Sequence, residues 1–341
     1  MTTPDTADDA TAPEEEPLGV ASSSNPAQLR GTTVEIAADE LPEVAKKIQG
    51  RSPWQLAWAR LKRDRVAMVS LVVIIVIIMV ALGAPLIAKL VGHGPYEQYR
   101  ETGLTPAGLP KGPSSLFWLG TDSLGRDILV RIVYGARVSL FAGVVATGIA
   151  ISLGVVAGLA AGYFGKRVDT VIARVIDVLL AFPFFLFAIA LTSVFQPSLK
   201  ITILVIGFFS WAAIARIVRG QVLSIREKEY VEAARSLGAG DWRIIFVDVF
   251  PNVLAPVIVY TTLLIPVVIV FEASLSFLGL GVPPPTADWG GMLNESINYY
   301  TVAWWFVVFP GAALLITTLA FNLFGDGVRD AFDPRADRMF N

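Results

Sequence analysis

One stretch decides most of what this chain can become. VAMVSLVVIIVIIMVAL, from Val66 to Leu82, carries no charge and is long enough to cross a hydrocarbon core of roughly 30 Å. The rest of the chain repeats the pattern, with apolar segments of helical length at about 66–88, 138–161, 171–195, 201–221, 253–274 and 302–324. Hydrophobic residues make up 54% of the chain and charged residues only 16%, so the apolar excess must face something other than water. A backbone in lipid has to satisfy its own hydrogen bonds, and these segments lack the alternation of a membrane barrel strand. The expected fold class is therefore an all-α membrane protein with six transmembrane helices.

Lys and Arg bias short loops toward the cytoplasm. With the N-terminus inside, fourteen Lys and Arg residues lie near the cytoplasmic ends of the spans, against seven outside. Six of those seven fall in the single long loop 89–137, where Glu97, Glu101, Asp122 and Asp127 offset them. Both termini are thus expected in the cytoplasm, with 89–137 and the proline-rich GVPPPTADWGG external and 222–252 cytoplasmic. Residues 1–50, with Asp8, Asp9 and Glu14 to Glu16 among Thr, Ser, Pro and Ala, read as a disordered acidic cytoplasmic tail. They lack the pattern of a secretory signal. A basic, aromatic segment follows at 51–65, where Trp54, Trp58, Leu61 and Arg65 share a helical face. It either lies in the interface or simply extends the first span. Residues 66–335 make the transmembrane domain and 336–341 a short cytoplasmic tail.

The composition also excludes chemistry. Without cysteine there are no disulfides, thiolate metal sites or cysteine nucleophiles, and a net charge of −2 speaks against a nucleic-acid partner. No nucleophile-and-base grouping is visible, so the chain reads as a non-enzyme with no metal site. His93, the single histidine, sits between two glycines and reads as a loop residue. There is no GxxxxGK[ST] phosphate loop either, and any ATP-driven role would need a separate ATPase.

Polar residues within the spans are candidates for a pathway or an inter-subunit contact. Arg174 and Asp177 are spaced i, i+3 and read either as a structural pair or as lining a route. Glu272, without a local partner, reads as contacting a cavity or a neighbouring subunit, or as snorkelling to the outer interface. The segment TDSLGRDILVRIVYGAR suggests an amphipathic helix capped by Asp122, lying on the outer surface. Asp122, Arg126 and Asp127 would then belong to a platform for an external partner, or to a scaffold over the spans. Pro183, Pro256, Pro266 and Pro310 fall inside spans, where each removes a backbone donor and can bend the helix.

The most informative segment is REKEYVEAARSLGAGDWRIIFVDVFPN, Arg226 to Asn252, which reads as helix, turn, helix. Strong helix formers run through Glu232, Ala233, Ala234 and Arg235 to a stop at Gly238, and Asp241 is placed to cap a second helix that ends at Pro251. Trp242, Ile245, Phe246 and Val249 form its apolar side. The alanines leave the first helix nearly bare beside Tyr230, Glu232 and Arg235, which is the shape of a docking element. Continuous helix from Ile201 through Ala234 would carry its displacement into the membrane.

EAAxxxG from Glu232 to Gly238, with Pro251 thirteen residues on, resembles the EAA loop of bacterial ABC importer permeases. One departure is Asp248, where the general pattern has an apolar residue. LGTDSLGRDILVRIVYGARVSL, ARVIDVLLAFP, EASLSFLGLGVPPPTADWGGML and FNLFGDGVRDAFDPR, together with WARLKRDRVAMVSLVVI at the entry, resemble the C-type subunit of the dipeptide/oligopeptide permease family. The resemblance covers about Trp54 to Arg335. It implies a multi-pass permease of the bacterial inner membrane, moving short peptides by alternating access. It also implies a second homologous permease, two cytoplasmic ATPase domains that hold ATP and Mg, and an extracytoplasmic solute-binding protein. The coupling residues it implies are Tyr230, Glu232, Ala233, Ala234, Arg235, Gly238, Asp241 and Pro251. An oligosaccharide or nickel chelate as cargo, and a secondary transporter or channel, are the alternatives. The coupling loop argues against the last pair.

Overall fold

The structure is a computed structural model that describes residues 53–333. Both expected tails, 1–50 and 336–341, lie outside the described residues. Within them the chain is helices and loops, with two isolated bridges, Leu104 to Pro110 and Thr121 to Asp127.

Helix α1 (Pro53–Leu61) is separate from α2 (Arg65–Leu82), not an extension of it. Asp64 makes the break by capping α2, accepting from the amides of Val66 at 2.9 Å and Ala67 at 3.1 Å. Trp54 and Trp58 stay exposed while Ala57 and Leu61 pack on Val328 and Ala331 of the last helix. Beyond Gly83, α3 (Ala84–Val91) carries the first apolar segment on to Gly92, whose φ of 80° ends it. The loop that follows holds only the short α4 (Arg100–Gly103).

Helix α5 (Ile128–Phe164) starts well before the expected Val138, with Asp127 as its cap. The amphipathic surface helix expected over Asp122 to Arg137 is therefore not formed, because those residues include the first turns of a long membrane helix. A tight turn at Gly165 leads to α6 (Lys166–Ala181) and α7 (Phe184–Val194). Here the third expected span is corrected. It is not straight but bent by 84° at Phe182 and Pro183. Phe182 is extended, the conformation favoured before a proline, and Pro183 donates no hydrogen bond back across the break. Pro256, Pro266 and Pro310 sit inside unbroken helices.

Helix α8 (Leu199–Arg226) is followed by α9 (Glu229–Ser236), α10 (Asp241–Arg243), a π-helical stretch (Ile244–Val249) and α11 (Phe250–Phe277). The last elements are α12 (Trp289–Ser296) and α13 (Trp304–Phe332). Among the described residues, five helical runs are long and apolar enough to cross a membrane, and six if the bent α6–α7 pair counts as one broken span.

The bundle has two distinct ends. Phe164 of α5, Arg226 of α8, the π stretch and the close of α13 gather at one, which holds the segment 222–252. Ile128, Leu199, Phe277 and Trp304 mark the other, called here the far end. What fixes α5 on α8 is a strip of small residues. Gly154, Gly158 and Gly162 meet Ile214, Val218 and Val222, and a Cβ built on any of the three glycines would stand 2.6 Å from its partner's Cβ. Glycine is required there for the backbones to approach, the small-xxx-small device of membrane helix packing.

Candidate functional site

The helix-turn-helix expected over 226–252 is present, with four corrections. Helix does not run on from Ile201 through Ala234. It stops at Arg226, and Lys228, extended at ψ 143°, restarts it as α9. Arg226 anchors the break by donating to the carbonyls of Gly162 at 3.1 Å and Tyr163 at 3.4 Å, at the C-terminal end of α5, where a cation is favoured. Gly238 closes α9 with φ 82°, and its amide donates to the Arg235 carbonyl at 3.0 Å. That conformation costs any residue with a Cβ about 1–2 kcal/mol.

Asp241 is not the cap of the second helix but its first residue, after Gly240. Its carboxylate accepts from the Tyr163 hydroxyl at 2.8 Å, and the Arg235 guanidinium lies 6.0 Å from the Tyr163 ring centre. The turn is thereby latched to the end of α5. Pro251 does not end the second helix either. A π stretch precedes it, with Phe250 donating to the Ile245 carbonyl, and the proline occupies the first turn of α11, where its missing N–H is tolerated.

The π stretch also redistributes the apolar face. Ile244, Ile245 and Val249 are buried against Val222, Ile225, Val231 and Val253. Trp242 and Phe246 turn outward instead, 70% and 56% exposed, stacked with ring centres 6.0 Å apart. Leu237, 89% exposed, and Tyr230 join them, with Glu232, Ala233 and Arg235 also at the surface. The result is an apolar crest with polar flanks on a firmly backed scaffold.

A second charged face runs along α6 and α8. Asp177 does not pair with Arg174, which is exposed and makes no ion pair among the described residues. It accepts from Arg216 of α8 at 2.7 Å, both side chains 55% exposed. One turn on, Arg219 forks onto Asp169, its Nη2 at 2.8 Å. The packing of α6 across α8 points these carboxylates away from their own helix.

At the far end, charges expected at a surface are buried. Asp122 accepts from the amides of Leu124 and Arg126 at 2.9 Å and lies 3.2 Å from Arg131 Nε. Arg126 Nη2 donates to Glu295 at 2.7 Å, and Asp127 holds His93 Nδ1 at 2.7 Å. His93 is a loop residue as expected, and a buried one, stacked on Phe117 at 4.8 Å. Glu272 is fully buried, and Ser276 donates to it at 3.3 Å, so it does not snorkel to the outer interface. Glu295, Asp288 and the glycine strip were not singled out in sequence. GVVAGLAAG from Gly154 to Gly162, spaced by four, carries the signal for the strip.

The structure is thus a bundle of membrane-length helices with an exposed, rigidly backed crest at one end. Residues 154–338 match the family described as binding-protein-dependent transport system inner membrane component, and residues 52–106 match the N-terminal transmembrane domain of oligopeptide transport permease C. The dipeptide transport system permease protein of Alkalihalophilus pseudofirmus is 42% identical, over 83% of this chain and 90% of that protein. That of Bacillus subtilis is 41% identical, over 83% and 86%. The glutathione transport system permease protein of Pectobacterium atrosepticum is 40% identical, over 84% and 92%. The chain is also similar to a solved structure titled as inward-facing conformations of the MetNI methionine ABC transporter, at 18% identity and a TM-score of 0.49 over 59% of this chain and 96% of that one. The chain belongs to the binding-protein-dependent inner membrane permeases, within the dipeptide/oligopeptide group. It is a non-catalytic, multi-pass permease subunit of an ABC importer in the bacterial inner membrane.

Proposed function

We propose that this chain forms half of the route by which short peptides enter the cytoplasm, and that segment 222–252 is where ATP-driven motion enters it. The observation that carries this reading is the crest of Leu237, Trp242 and Phe246, apolar and exposed on a helix-turn-helix whose other face is fully packed. Exposed aromatics on a rigid base suit a protein partner. The partners are two ATPase domains, which hold the ATP and Mg. Segment 222–252 and both termini lie in the cytoplasm, in agreement with the Lys and Arg distribution. Curated relatives named for dipeptide and glutathione transport support the peptide cargo.

The far end faces outward, where a solute-binding protein docks. Asp122, Arg126 and Asp127 serve that face from inside, as the buried frame of the loop before α5. The Asp177–Arg216 pair, exposed between α6 and the membrane-length α8, requires water or protein beside it in place of lipid. We assign that face, with Arg174, to the translocation route shared with a second permease.

Replacing Glu232 and Gly238 together by Ala tests the coupling assignment. ATP-dependent uptake into proteoliposomes should be lost and ATPase co-purification weakened, while the variant's thermal unfolding stays within a few degrees of the parent. Unchanged uptake would remove the assignment.

A further inference from the structure

At the end that holds segment 222–252, two cavities of about 340 Å³ each lie between α1, α11 and α13 and share Ala255 and Phe332 in their walls. The deeper is walled by Pro256, Val259 and Leu263 of α11 and reaches Arg329 of α13. The outer is walled by Trp54 and Arg60 of α1 and by Pro251 and Asn252. Together they make a groove along α11 from Pro251 to Leu263, about 18 Å at 1.5 Å per residue, close to the depth of one bilayer leaflet.

The groove is graded along its length. Ala255, Val259 and Leu263 recur at i, i+4 and i+8 and give its inner part an apolar floor. Its mouth is polar and mostly basic. Arg60 donates through Nη1 to the carbonyls of Asp333 at 3.1 Å and Ala331 at 3.4 Å, which fixes a cation at the C-terminal end of α13. Arg329 is exposed and makes no ion pair among the described residues. The same holds for Lys62, Arg63 and Arg65 at the turn out of α1, where Asp64 accepts through Oδ1 from the amides of Val66 and Ala67. Among the described residues that line the groove Asp333 alone is acidic, and Asp326 and Asp330 lie outside its walls. Trp54 and Trp58 are exposed on α1, with Lys62 Nζ 5.1 Å from the Trp58 ring centre, a border that suits the level of lipid headgroups.

An occupant must therefore be apolar over about one leaflet and anionic at the mouth. A phospholipid of net negative charge has that form, and basic pockets between membrane helices recognise such headgroups. We propose that the groove between α1, α11 and α13 binds an anionic phospholipid, with an acyl chain along Ala255 to Leu263 and its phosphate beside Arg329, in the field of Arg60. The site is separate from the peptide route. It sets a lipid against Asn252, within one turn of the π stretch that joins the docking segment to the membrane.

The test reconstitutes the complete importer in phosphatidylcholine nanodiscs with a trace of phosphatidylglycerol carrying a diazirine in one acyl chain, and in parallel with the same chain on a phosphocholine head. Irradiation, proteolysis and mass spectrometry locate and count the label. The phosphatidylglycerol probe should label 253–263 about fivefold or more above the phosphocholine probe, and Arg329→Gln should remove about fivefold of that labelling, the effect of one basic side chain at a membrane surface. Lys200→Gln, an exposed cation at the far end, should leave it unchanged. Ala255→Trp fills the groove where the two cavities meet and should clear 253–263 of both probes. Equal labelling by the two headgroups would overturn the proposal, as would phosphatidylglycerol labelling that Arg329→Gln leaves intact. So would a parent complex in which neither probe reaches 253–263, since a protein partner would then cover the groove.

Discussion

The contact between α5 and α8 permits a quantitative test, because the structure supplies both the perturbation and its control. A Cβ at Gly158 would lie 2.6 Å from Val218 Cβ, 2.7 Å from its Cγ1 and 2.9 Å from the Ala215 carbonyl oxygen. Two of those atoms belong to a β-branched side chain with little rotamer freedom, and one is backbone, so relief requires the helices to part. Overpacking of this kind costs about 1–3 kcal/mol, less up to about 1 kcal/mol gained from replacing a helical glycine by alanine. Gly158→Ala should therefore destabilise the subunit by up to about 2 kcal/mol, and lie about 1–3 kcal/mol below a control in which only the alanine gain applies. Gly148→Ala, in the same helix with nothing within 4 Å of the added atom, should be neutral or stabilising. Thermal unfolding of the purified complex in detergent, followed by tryptophan fluorescence, reads the two side by side. If Gly158→Ala melts at or above the temperature of Gly148→Ala, the close approach of α5 and α8 is not what the glycines are for.

Two further outcomes follow from the segment at the other end of those helices. Trp242→Ala and Phe246→Ala remove exposed rings, so unfolding should shift by no more than about 0.5 kcal/mol while ATP-driven uptake falls steeply. Tyr163→Phe deletes the hydroxyl that latches Asp241 and should cost about 1 kcal/mol, seen as faster amide hydrogen exchange across 237–245 than in the parent.

The membrane helices were legible in the sequence because uncharged runs of spanning length have few other uses. Their ends were not. Helix α5 begins at Ile128 in spite of Arg131, because Asp122 and Glu295 supply its counter-charges, and Glu295 is far away in the chain. Which proline breaks a helix was equally hidden. Pro183 follows a residue free to go extended, whereas Pro256, Pro266 and Pro310 are held in line by the packing around their helices. At the docking segment, the alanine face, the stop at Gly238 and the approximate position of the second helix could be read directly. A regular 3.6-residue period puts Trp242, Ile245, Phe246 and Val249 on one apolar side, whereas the structure buries Ile245 and Val249 and leaves Trp242 and Phe246 exposed. The split falls across a π stretch, Ile244–Val249, where the helical turn is wider than that period. Glu272 looked unpartnered because its neighbour Ser139 is remote in sequence and Ser276, though only four residues on, carries no charge.

The central claim is that the crest around Leu237 is the surface an ATPase subunit pushes. The chain contains no cysteine, so a single Leu237→Cys variant can carry a benzophenone photo-crosslinker at that one position. Irradiation of the assembled complex in proteoliposomes should join Leu237→Cys to an ATPase subunit, and the yield should change when ATP is added. The same label at Tyr300→Cys, exposed at the far end, should capture no ATPase. A complex that imports peptide yet yields no ATPase adduct from Leu237→Cys would contradict the account.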